Sequence, residues 1–79
     1  MNTLATLEET VITFEKRFRG GGNVRVTNVP AEIVHRQGKE DLTLFNWRTS
    51  STLLHLLHLA RNRVASGETE IVLDFQDDL

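Results

Sequence analysis

His55 and His58 stand three residues apart in a helical pattern, so they share one face and both imidazoles could ligate one metal ion. His35 would have to supply a third ligand from elsewhere in the fold. The pair lacks the i, i+4 spacing and intervening glutamate of a hydrolytic zinc helix, so the simpler reading is two solvated histidines on a polar strip. Their titration near neutral pH could still make association pH-sensitive. For covalent chemistry, Ser50, Ser51 and Thr52 offer hydroxyls, but at the start of a helix such hydroxyls cap it. Glu32, Glu40 and Asp41 fall in or near turns and have no partner identifiable from the sequence. Cysteine is absent, which excludes disulfides, thiolate metal sites and cysteine nucleophiles. A chain of 79 residues also has little room for an enclosed cleft. These observations point away from an enzyme, and no cofactor is expected.

Lys16, Arg17, Arg19 and Arg25 flank a triple glycine and form the one basic cluster. Phosphate contact is the functional reading, with Phe18 available to stack on a base. A solvated loop guarding an edge strand is the plainer one. Nine basic against eleven acidic residues leave a net charge of -2, which disfavours nucleic acid, and the same arginines would meet an acidic protein partner equally well. The glycines do not precede a helix and no G-K-[ST] follows, so they are not read as a phosphate cradle. Trp47, just before the leucine-rich segment, is either core or an anchor for a partner.

Behind these side chains stands the segment Ser50 to Gly67, with five leucines between positions 53 and 59. It reads as an amphipathic helix capped by Ser50 or Ser51 and stopped by Gly67. Leu53, Leu57, Ala60 and Val64 form the centre of its apolar face, and His55, His58 and Asn62 its polar strip. The apolar stripe is wide for so small a chain. Leu56 and Leu59 are therefore assigned, with Trp47, to a contact with a second copy or another partner.

Residues 3 to 19 fit two periods. Leu4, Leu7, Val11, Phe14 and Phe18 follow helical spacing, which favours a helix, with Asn2, Thr3 or Thr6 at its start. Val11 to Phe18 also reads as a strand with Ile12, Phe14 and Phe18 inward. Gly20, Gly21 and Gly22 end this element as a helix cap or hairpin loop. Asn23 to Val29 alternates as a strand that Pro30 ends or places at an edge, and Ala31 to Arg36 can resume as a second strand. Gln37 to Asp41 is a turn centred on Gly38. Leu42 to Trp47 is apolar on both faces, as a central or covered strand would be. Thr69 to Phe75 is a final strand with Ile71, Leu73 and Phe75 inward, and the acidic tail 76–79 is expected to fray.

The run T-V-I-T-F-E-K, followed by V-T-N-V-P-A-E-I-V-H-R-Q-G-K-E-D-L-T and a leucine-rich helix, resembles the YgiT-type domain of MqsA-like antitoxins. Val29, Pro30, Ala31, Glu32, Ile33 and Gly38 carry the likeness, which covers about half of the chain. Val34 and Gln37 stand where that family has zinc-binding cysteines, and its N-terminal pair is missing too, so metal binding does not carry over. The resemblance implies a strand rather than a helix at Thr10 to Phe18. It also implies a role in toxin neutralisation or transcriptional autoregulation through protein contacts.

The expected architecture is a single α+β domain over residues 1–79. It has a small antiparallel sheet of three or four strands packed by one long helix in the C-terminal half, with an N-terminal helix over residues 3–19. The expected function is that of a homodimeric, non-enzymatic protein–protein interaction module, antitoxin-like or regulatory, with a nucleic-acid-binding regulator as the alternative. No apolar run reaches the roughly 20 residues of a membrane span. The first residues also lack a signal-peptide pattern, so cytoplasmic residence is expected.

Overall fold

A computed structural model describes residues 5–77. Its frame is a long hairpin. Strand β1 (Ala5–Arg17) pairs antiparallel with β2 (Asn23–Arg36), from Ala5 opposite Arg36 to Arg17 opposite Asn23. The N-terminal helix is thus corrected to a strand; its suggested start at Asn2 or Thr3 lies outside the described residues. The run of β-branched and aromatic residues from Thr10 to Phe14 suits a pleated surface. In the strand the helix-spaced residues split between faces, with Leu7 and Val11 exposed while Phe14 packs on the core beside Ile12, as the strand period requires.

β2 is one strand, not two. Ile12 faces Val29 while Phe14 faces Val26, so β2 uses three steps where β1 uses two. The extra residue is Asn28, in the left-handed region with φ 58°, and its side-chain amide donates to Asp74 at 2.8 Å. This bulge resets the alternation, so Val24, Val26, Val29 and Ala31 all point into the core. Pro30 does not end the strand. It lies in the stretch of β2 that has only β1 beside it, because the other edge is shared by two short strands that pair residues 23–27 and 32–34.

The first of these, β3 (Leu42–Leu44), follows the expected turn at Gly38 and runs antiparallel to the distal part of β2. It is an exposed three-residue edge, not the central strand expected over Leu42 to Trp47. The chain then leaves the sheet, because Asn46 caps helix α1 (Trp47–Ala65): its side-chain oxygen accepts the Thr49 N–H at 2.8 Å. The cap is four or five residues earlier than Ser50 or Ser51, which lie inside the helix. The end is as expected. Gly67, at φ 108°, donates to the Val64 carbonyl, and Glu68 N–H reaches back to Arg63 O, a Schellman closure.

α1 carries the chain back along β2, so β4 (Glu70–Asp74) enters beside Asn23 and runs parallel to β2. The fold is therefore α+β, with a four-stranded sheet, three strands antiparallel and the last parallel, under one 19-residue helix. Ile71, Leu73 and Phe75 point inward as expected. Beyond them Gln76 and Asp77 are held in a turn by N–H donation to Asp74, so the tail is ordered to that point; positions 78–79 lie outside the described residues.

The core joins Val24, Val26 and Val29 of β2 to Leu53, Leu56 and Ala60 of α1 and to Ile71, Leu73 and Phe75. α1 packs on β2 and β4. A helix of this length spans about 28 Å and β2 about 46 Å, so roughly 18 Å of the sheet has no helix over it. That uncovered part is an arm built from the start of β1, the end of β2 and β3, and it gives the chain its long dimension of 55 Å.

Candidate functional site

The structure divides the residues singled out by the sequence among three separate places. On α1, the residues turned to the core are Thr49, Leu53, Leu56 and Ala60. Leu56 is 0% exposed, which removes it from any contact with a second chain. The reason is rotational. α1 must cover both β2 and β4, so the centre of its buried stripe lies on the Leu56 side of the line through Leu57 and Val64, which are only half-buried. Leu59, at 39% exposure, and Trp47, at 75%, do remain accessible, as does Leu54. The Arg48 guanidinium sits 5.2 Å from the centre of the Trp47 ring, so the indole is a solvent-side platform and not core.

His55 and His58 are exposed on α1. His35 is not with them: it lies near the end of β2, and no cluster of three metal-capable side chains occurs among the described residues. His35 instead joins the strands of the arm. Its Nε2 is 2.8 Å from Glu8 Oε1 on β1, and its Nδ1 is 3.0 Å from Asp41 Oδ2 just before β3. Only the imidazolium donates from both nitrogens. The Glu8 hydrogen bond, supported by Asp41 and opposed by desolvation, raises the His35 pKa above 6.5. The folded-state value lies above the unfolded one, so this clasp contributes fully below pH 6.5 and is lost as pH rises through the raised value. Protection of the arm amides, taken relative to the intrinsic exchange rate at each pH, should therefore be greater at pH 6 than at pH 9, a difference that His35→Gln removes. Equal protection of the arm at both pH values in the unaltered protein would rule the clasp out.

Of the basic residues, Arg17 and Arg25 share the sheet face away from the helix at an open cavity of about 400 Å³ that Lys16, opposite the inward-facing Val24, also lines, while Arg19 lies in the β1–β2 turn. Two carboxylates share that cavity. Glu15, directly opposite Arg25, accepts from its Nε at 3.0 Å. Arg17 donates to Asn23, which in turn donates to Glu70 at 3.0 Å. Arg25 is thus largely neutralised, and Arg17 keeps its terminal nitrogens available.

The arm carries a feature that the sequence reading missed. Opposite the helix side, cross-strand pairing sets Leu7, Val34 and Leu42 in one row, Glu9, Glu32 and Leu44 in the next, and Val11 beside Pro30 in a third. Leu7 is 59% exposed, Val11 57% and Leu42 42%. Glu9 and Glu32 face each other as like charges, which is unfavourable in an isolated sheet. The alternation of Leu7, Glu9 and Val11 was visible in the sequence, but it acquires meaning only once residues 5–17 are a strand.

Comparison with protein-family models, curated proteins and solved structures finds no match for this chain. Among the described residues, no helix is long and apolar enough to cross a membrane.

Proposed function

We propose that this chain is a small non-enzymatic protein–protein interaction module that works as a homodimer and presents its arm to a protein partner. The observation that carries this reading is the apolar row of exposed Leu7 and Leu42 flanking half-buried Val34 on a three-stranded arm that no helix covers among the described residues. An apolar sheet face of this kind loses its contact with water only through another chain. Sedimentation equilibrium at micromolar concentration is the test of self-association: a dimer is expected, and a monomer throughout would overturn it. The YgiT-type resemblance would make the partner a toxin, so the protein encoded by the neighbouring gene is the first one to co-express. Copurification abolished by Leu42→Arg, with the fold retained, supports this role for the arm; copurification unaffected by Leu42→Arg argues against it.

A nucleic-acid-binding regulator is the second reading, favoured by Arg17 and Arg25 on one sheet face at a cavity that Lys16 also lines. Glu15 and Glu70 in the same cavity weaken it. A gel shift at low salt that Arg17→Ala reduces would support it, and no shift would remove it.

A further inference from the structure

Among the described residues β1 ends the sheet, and its outer edge is unpaired from Ala5 to Arg17. So long an edge is a template for another strand, and proteins usually protect such an edge with charges, a proline or a bulge. β1 contains no proline, and the bulge lies on β2. Its unpaired charges are segregated, with Glu9 near one end and Lys16 and Arg17 at the other, because Glu8 is held by His35 and Glu15 by Arg25 on β2. Segregated opposite charges repel a parallel copy and suit an antiparallel one.

We infer that two copies of this chain pair antiparallel along β1, with Thr13 on the two-fold axis and Glu9 opposite the partner's Arg17. This rests on the homodimer reading above and names its interface. A two-fold axis normal to the sheet maps each face onto itself, so opposed residues must share a face and the allowed registers step by two. In the register centred on Thr13, Glu9 meets the partner's Arg17 and Ile12 meets the partner's Phe14, each twice. Glu9 has no ion pair among the described residues, and Arg17 is held only through Nε by Asn23. Ile12 and Phe14 are half-buried against the core on the helix side, and α1 packs over β2 and β4 rather than over β1. Pairing them with their counterparts extends the core across the axis. The neighbouring registers fail. One sets Glu9 against the partner's Glu15, and the other sets Ile12 against the partner's Lys16 and carries Glu9 past the end of the partner's strand; in the chosen register Val11 meets the partner's Glu15, whose charge Arg25 already neutralises.

The register also accounts for the length of the arm. From Glu9 to Arg17 the two strands overlap by roughly 30 Å and form about eight to ten interchain backbone hydrogen bonds, two at each bonded pair. The arm of each copy then lies beside the helix-covered half of the other. The result is one eight-stranded sheet with both helices on the same face. The alternative, that the edge charges exist to keep other strands away, predicts a monomer and no effect of exchanging their signs.

The natural absence of cysteine makes the test direct. Opposed Cα atoms in an antiparallel pair lie about 4.5–5.5 Å apart, within the roughly 4.4–6.8 Å that a disulfide bridges. Under mild oxidation Thr13→Cys should cross-link to a dimer, whereas Val11→Cys, roughly 14 Å from its counterpart, should not. Glu9→Arg alone and Arg17→Glu alone should each weaken the sedimentation dimer about tenfold, and the double exchange should restore it. A wild-type monomer overturns both the dimer and this interface. A dimer that Thr13→Cys does not cross-link and that the charge exchanges leave unchanged overturns the interface alone.

Discussion

Leu56→Glu is expected to leave the chain unfolded at room temperature, whereas Leu59→Glu and Leu54→Glu leave it folded. The Leu56 side chain is fully enclosed within the cluster formed by β2, α1 and β4. Truncation to alanine alone should cost about 3–5 kcal/mol, because neighbours held by a rigid sheet cannot collapse into the space. A domain of this length has a total stability of roughly 4–12 kcal/mol. A carboxylate at the same place must be desolvated without a partner or protonated, and either adds several kcal/mol. Circular dichroism and urea melting distinguish the outcomes. A cooperative Leu56→Glu transition near the wild-type midpoint would show that α1 is rotated differently, with Leu56 facing outward. The wide apolar stripe seen in the sequence invites that opposite result, in which Leu56→Glu only dissociates a dimer.

Gly22→Ala should be the most damaging of the single glycine-to-alanine changes in the β1–β2 turn. All three turn glycines have positive φ, and Gly22 lies at φ 89°. A Cβ built on Gly22 would sit 2.7 Å from Val64 Cγ2 and 2.8 Å from Val64 Cγ1, whereas one on Gly20 or Gly21 meets nothing within 4 Å. Valine in a helix has one strongly preferred rotamer, so its methyls cannot swing aside. The backbone strain costs about 1–2 kcal/mol and the overpacking about 1–3 kcal/mol. Gly20→Ala carries only the first of these. Thermal melting of Gly22→Ala should therefore fall well below that of Gly20→Ala, and Val64→Ala in the Gly22→Ala background should narrow the gap. Equal melting of the two single variants would mean that the turn does not pack on α1.

The helix was legible because its signals are local and agree. Leucine spacing, the absence of proline and Gly67 at the stop all act within a few residues of one another. The last strand was legible for the same reason, through the alternation of Ile71, Leu73 and Phe75. The first strand was not, because Leu7, Val11, Phe14 and Phe18 satisfy the helical period while Ile12 and Phe14 satisfy the strand period. Only pairing with β2 decides between them. The bulge was missed because Asn28 shifts the phase of β2 by one residue, so the valines on either side fall out of step and Pro30 looks like a terminus. Read across that slip, Val24, Val26, Val29 and Ala31 form one continuous inner face.

Of the candidate sites, the sequence placed the basic cluster, the histidines and Trp47 by type alone. The fold then separated them, tying His35 to Glu8 and Asp41, Arg25 to Glu15, and leaving Trp47 in solvent. The arm face could not be found in advance, since Leu7, Val34 and Leu42 come from three distant segments that only the sheet register brings into one row.

By itself, then, the sequence determined the presence of one long helix, the final strand, the glycine turn and the absence of thiol chemistry, all properties of residue type and short-range spacing. The tertiary structure decided the conformation of residues 5–17, the side of α1 that is buried, and which charges meet. Those depend on contacts between segments far apart in the chain, where a pairing partner, and not local preference, chooses among conformations that the residues tolerate equally well.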